Sequence, residues 1–178
     1  MSGAPDSGKG DEQQRTRFMW IYSLAAATAL AQYAVTPGTF LFGLFLLWAS
    51  IFLLRRQKKT AQGTVFESHA KWIGRTLYIG CVYLLPAAAL VMFFFIFKYA
   101  HLTDLQRDIA RNIVTGSIVT PADIERMVRN YFHQYGALIS RIAYLSITPP
   151  ILWWLWRCWT GFRHAAKSEP MNKPMAFL

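Results

Sequence analysis

Long apolar runs separated by short polar ones dominate this chain. Residues 18 to 54 (FMWIYSLAAATALAQYAVTPGTFLFGLFLLWASIFLL) carry no charged side chain, and Thr36-Pro37-Gly38-Thr39 divides them where a turn can form. As a hairpin they predict helices of about 18 and 16 residues, spanning roughly 27 and 24 Å at ~1.5 Å rise per residue. Both are short against a ~30 Å hydrocarbon core, so flanking Trp and Arg side chains would have to reach outward. Residues 77 to 97 (LYIGCVYLLPAAALVMFFFIF) predict a third span. Residues 136 to 156 (GALISRIAYLSITPPILWWLW) predict a fourth, interrupted by Pro149-Pro150. The expected fold class is an all-α membrane protein with four transmembrane helices.

Between the last two spans the period changes. Leu102, Leu105, Ile109 and Ile113 recur at helical spacing, with Asp104, Arg107, Asp108 and Arg111 between them. Gly116 and Ser117 supply a break, and Thr120-Pro121-Ala122-Asp123 carries the signature of a second helix start: hydroxyl cap, proline at the first helical position, acid three residues after the cap. On that helix Ile124, Met127, Val128 and Tyr131 form an apolar stripe. Residues 98–135 are therefore expected to form a short amphipathic helical hairpin outside the membrane, covered by self-packing or by a partner. Residues 1–17 read as a disordered polar tail.

Charge adds orientation. The net charge is +10 over 178 residues, a value that nucleic-acid binders also reach. Its distribution argues otherwise. The 55–76 loop holds six basic residues and one acidic, the 157–178 tail four and one, whereas residues 98–135 hold five and four. Short basic loops mark the cytoplasmic side, so both termini are expected there, with anionic headgroups rather than nucleic acid as the partner of the basic loop. A secretory signal ending near Ala29-Leu30-Ala31 is disfavoured because the apolar run continues past it. Cys81 and Cys158 would both lie toward the reducing side as structural thiols. Arg141, near the outer end of the fourth span, reads either as a snorkelling side chain or, with Ser146 and Thr148, as a candidate polar path to the proline break.

Candidate chemistry concentrates in FESHAKWIGR, residues 66–75. Glu67 and Lys71 are four apart and can pair on a helix, while Ser68, Trp72 and Arg75 share another face. The stretch reads as an interfacial anchor or as a contact site for lipid or partner, formed by Glu67, Ser68, His69, Lys71, Trp72 and Arg75. Glu67 and His69 point to different helix faces at a spacing of two, which argues against a shared metal ion. His101, His133 and His164 do not lie centrally in any span, which excludes bis-imidazole haem. A phosphate loop, a nucleophile elbow and an HExxH stretch are all missing, so no catalytic residue, metal or cofactor is expected.

GTVFESHAKWIGRTL, residues 63–77, resembles the pattern GTxxESHxRWQIRTF of small bacterial inner-membrane proteins of unknown function. Gly63, Thr64, Glu67, Ser68, His69, Trp72, Arg75 and Thr76 match it, Lys71 stands where arginine is usual, and Ile73-Gly74 replaces Gln-Ile. WLWRCWTGFRHAAKSEPM, residues 154–171, is similar to that family's closing segment. The 98–135 connection is longer than the family's. The resemblance implies four helices with the 66–75 stretch cytoplasmic. A remote grouping with channel-like components of the chloroplast import translocon is an analogy of fold, which does not carry function.

The reading that follows is a non-enzymatic inner-membrane protein acting as an accessory or assembly subunit of a larger envelope complex, with Ile124, Met127, Val128 and Tyr131 as the outer partner contact. The alternative is a small transporter, channel or lipid-handling homo-oligomer. A weaker third is a pH sensor built on His69 or His164.

Overall fold

The computed structural model describes residues 7–33, 37–116 and 120–171, all helices and turns, with no strand among them. In order they form α1 (Ser7–Tyr33), α2 (Pro37–Thr60), α3 (Phe66–Ile79), a π turn (Gly80–Leu84), α4 (Leu85–Tyr99), α5 (Leu102–Val114) and α6 (Pro121–Ala166). The chain divides into two compact units, one of residues 1–84 and 150–178, the other of residues 85–149. The expected turn at 36–39 and the break at 116–117 lie partly outside the described residues, as do residues 1–6 of the N-terminal tail and 172–178 of the C-terminal one.

In the first unit α1 buries Phe18, Ile21, Tyr22, Ala25, Thr28 and Ala29. That three-and-four spacing is one face of a helix turned to protein. α2 runs antiparallel beside it: Gln14 donates to the Thr60 carbonyl (3.0 Å) and Arg17 to the Gln57 side chain (3.4 Å). These bonds help explain why helix already exists at residues 7–17, where the sequence predicted disorder; Gln14 and Arg17 there are satisfied by α2. The far face of α2 exposes Leu41, Phe45, Trp48 and Phe52, again a single helical stripe.

α3, the π turn and α4 form one continuous 34-residue rod, Phe66–Tyr99. Pro86 lacks an N–H and its ring crowds the carbonyl four residues back, and a wider turn just before it relieves that conflict. α6 is 46 residues long and runs unbroken through Pro149-Pro150. The expected second hairpin helix and the fourth span are therefore one rod, and the prolines do not interrupt it.

Among the described residues two helices, the Phe66–Tyr99 rod and α6, are long and apolar enough to cross a membrane. Four spans are not supported. The first two expected spans do form helices, but α1 is polar through Arg17, α2 ends in RRQKKT, and much of α1's apolar surface is used against protein. At about 51 and 69 Å the two rods exceed a ~30 Å core, so only their apolar parts, 77–97 and 136–156, would lie in it.

In the second unit the Tyr131 hydroxyl donates to the Ala100 carbonyl (2.7 Å), the Tyr135 ring lies tilted against that of Tyr131 with centroids 5.1 Å apart, and the Asn112 amide reaches Met127 Sδ (3.9 Å). α6 starts at Pro121 as expected. Asp123 provides the cap, accepting from both the backbone N–H and the hydroxyl of Thr120 (3.2 and 2.8 Å).

Candidate functional site

The 66–75 stretch opens α3. Gly63, at φ +75°, makes the turn ahead of it, a conformation that side chains with a Cβ rarely adopt. The Gly63 N–H donates to Glu67 (3.0 Å) and Lys71 pairs with Glu67 at 2.8 Å. These two contacts hold the Glu67 carboxyl below its ordinary range, the Lys71 hydrogen bond foremost. Glu67 and Lys71 face solvent and form the outer side of α3.

His69 and Trp72 face the other way. His69 is fully buried among Phe18, Tyr22 and Phe66, with ring centroids 6.1, 6.0 and 5.7 Å away. Its Nε2 lies 2.9 Å from the Glu169 carbonyl oxygen, which can only accept, so Nε2 carries the proton. Nδ1 then accepts from the Tyr22 hydroxyl at 3.1 Å. One neutral tautomer satisfies both nitrogens. Burial pushes the imidazole pKa down, and the Glu169 bond opposes this only in part. Ser68 accepts the Met171 N–H at 2.9 Å, so residues 169–171 close over the imidazole.

Trp72 meets Arg157 in a second clasp. Its Nε1–H donates to the Arg157 carbonyl (3.0 Å), and its ring lies 3.6 Å from the guanidinium carbon. Arg157 is fully buried, with Trp153 at 5.2 Å as a further ring neighbour. Its Nε–H donates to the Thr76 hydroxyl (2.9 Å), which donates in turn to the Trp72 carbonyl (2.9 Å). A guanidinium disperses its charge over a plane, and an indole face with a directed acceptor is the surrounding that suits it away from water. Trp154 is buried one residue further in, its ring filling the space that a Cβ on Gly80 would need.

Of the six residues singled out in this stretch, the structure thus turns His69 and Trp72 into the chain's own core and leaves Glu67 and Lys71 outside. Ser68 binds Met171, and Arg75 is half-buried. In the second unit Ile124, Met127 and Val128 are half-buried and Tyr131 buried, while among the described residues of 100–135 Ile113, Val114 and Phe132 are the large apolar residues left exposed. Arg141 is exposed, and the Thr148 hydroxyl bonds the Tyr144 carbonyl of its own helix (2.6 Å). Ser146 is half-buried. Among the described residues no three His, Cys, Asp or Glu side chains converge on a metal position. Both cysteines are free thiols.

Sequence reasoning missed Phe18, Tyr22 and Arg157 as members of this centre. Arg157 gave one signal: a lone cation immediately after an aromatic-rich run. Of Trp153, Trp154, Trp156 and Trp159 at the end of the last apolar run, only Trp156 and Trp159 are exposed. They line a cavity of about 490 Å³ with Arg163, His164, Lys167 and Glu169.

No family model, curated protein or solved structure matches this chain.

Proposed function

We propose that this chain is a non-enzymatic integral protein of the bacterial inner membrane, crossing it with the Phe66–Tyr99 rod and α6 and keeping both termini cytoplasmic, and that it serves as an accessory or assembly subunit of a larger envelope complex. Three observations support membrane embedding. The apolar windows of the two long helices are only 17% buried, unlike core helices of a water-soluble domain. α4 turns Leu90, Phe93 and Phe94 outward, each at least 60% exposed. The Leu41, Phe45, Trp48 and Phe52 stripe on α2 gives the first hairpin an outward face of the same kind, which favours lipid on that side too.

The subunit role rests on Ile113, Val114 and Phe132. They lie outside the apolar stretches 77–97 and 136–156, are 54, 87 and 55% exposed, and sit among charged neighbours such as Arg111 and Arg129. Large apolar side chains beyond the bilayer need cover, and a protein surface supplies it. In a mild detergent, tagged protein should co-elute with other membrane subunits at fixed stoichiometry. The triple variant I113S/V114S/F132S should lose them while remaining membrane-inserted. Elution of the native protein alone would overturn the subunit role, and carbonate release from membranes would overturn the embedding.

A further inference from the structure

Where α1 and α2 lie side by side, a groove of about 280 Å³ is lined by Arg17, Trp20, Ile21, Leu53, Arg56 and Gln57. The two helices are antiparallel, and each repeats one arrangement. On α1, Arg17 is followed one turn deeper by Trp20, and on α2, Arg56 is preceded one turn deeper by Leu53. Both arginines therefore sit at the polar end, and both apolar side chains sit toward the uncharged stretch 18–54. The groove has a cationic mouth and an apolar floor.

The mouth is held in shape. Arg17 donates to Gln57 Oε1 at 3.4 Å, and that buried amide oxygen also accepts from Thr60 at 3.2 Å. Among the described residues no carboxylate pairs with Arg17 or Arg56, and the nearest acid along α1, Glu12, is engaged with Arg15 at 3.5 Å. Two planar guanidinium groups match a phosphate by paired hydrogen bonds. The exposed indole of Trp20, at 64%, and Leu53 below it offer surface to an alkyl chain.

We infer that this groove binds one anionic phospholipid, its headgroup phosphate between Arg17 and Arg56 and an acyl chain along Trp20 and Leu53; this rests on the reading that α1 and α2 meet the bilayer. Neither half of the groove alone accounts for its shape. Free phosphate would leave the apolar floor unused, and an uncharged lipid would leave two cations without a counter-ion.

The test uses the full chain in a nonionic detergent, with phosphatidylglycerol and phosphatidylcholine of identical acyl chains, and binding read by native mass spectrometry. Phosphatidylglycerol should bind about tenfold or more tighter, the scale of one or two charge-assisted hydrogen bonds. R17Q/R56Q should abolish that preference. K58Q/K59Q, which removes the same charge from exposed neighbouring positions, should keep it. Retained preference in R17Q/R56Q, or equal loss in K58Q/K59Q, would overturn the site. Displacement of the lipid by millimolar inorganic phosphate would also overturn it, in favour of a soluble ligand. Carbonate extraction separates the two readings: a protein released by carbonate that still prefers phosphatidylglycerol refutes the embedding and not the groove. A fully retained protein without preference refutes the groove alone.

Discussion

Trp72 and Arg157, 85 positions apart in sequence, hold each other twice: the indole N–H donates to the arginine's carbonyl at 3.0 Å while the indole face covers its guanidinium at 3.6 Å. One side chain thus fixes both the backbone and the charge of the other. A cation with no exposed surface persists because its neighbours replace water on the ring face and at Nε.

Arg157→Lys should therefore be a poor replacement. It keeps the charge but loses the stacked plane and the directed bond to Thr76, and should cost about 2 kcal/mol or more. Trp72→Phe should cost a similar amount, and the double variant should cost less than the sum because both remove one clasp. Thermal unfolding of the detergent-solubilised protein measures all three.

Acid should loosen the His69 centre. The folded-state imidazole pKa lies below the ordinary 6.5, so the unfolded chain binds the proton more readily. The stabilisation is complete above about 6.5 and is lost as pH falls below it. Melting temperature should drop between pH 7 and 5.5. His69→Gln, which cannot titrate and can still donate to the Glu169 carbonyl, should flatten that slope.

Ser68→Ala should cost about 1 kcal/mol, by leaving the Met171 N–H without its acceptor. Met171→Ala, at a buried position, should cost about 2 kcal/mol or more. In both, hydrogen exchange at the Met171 amide should rise before exchange in the middle of α2 changes.

Gly161→Ala and Gly136→Ala should move stability in opposite directions. A Cβ at 161 would enter the ring of Tyr22, the donor to His69, and overpacking of this kind costs about 1–3 kcal/mol. At 136 nothing lies within 4 Å, so the alanine should gain up to about 1 kcal/mol of helix propensity. The difference between the two melting curves checks this.

Helical class and the positions of most elements were legible in the sequence, because uncharged runs and three-and-four periodicity depend on local order alone. The α6 start was legible for the same reason: Thr120, Pro121 and Asp123 act within one turn. Pro149-Pro150 misled, since a proline pair removes two donors but an otherwise helical rod can continue past them. Residues 7–17 misled in the other direction, because their helix depends on Gln57 and Thr60, which no local window contains. In the 66–75 stretch the residue types drew notice correctly. Their direction did not follow from spacing, because what turned His69 and Trp72 inward lies on α1 and α6. The same chemistry serves a solvent-facing contact or an internal joint, and only Tyr22, Arg157 and Glu169 decide between them.

The His69 to Glu169 bond spans 100 residues, and this imposes an order in time. A ribosome makes α1, α2 and α3 long before it makes the segment that caps the imidazole. During that interval Nε2 has no carbonyl to meet, Trp72 has no cation to cover, and Ser68 has no amide to receive. The first unit therefore reaches its closed form only after the second unit has been synthesised between its two parts, so closure at residues 169–171 reports that everything in between has been made.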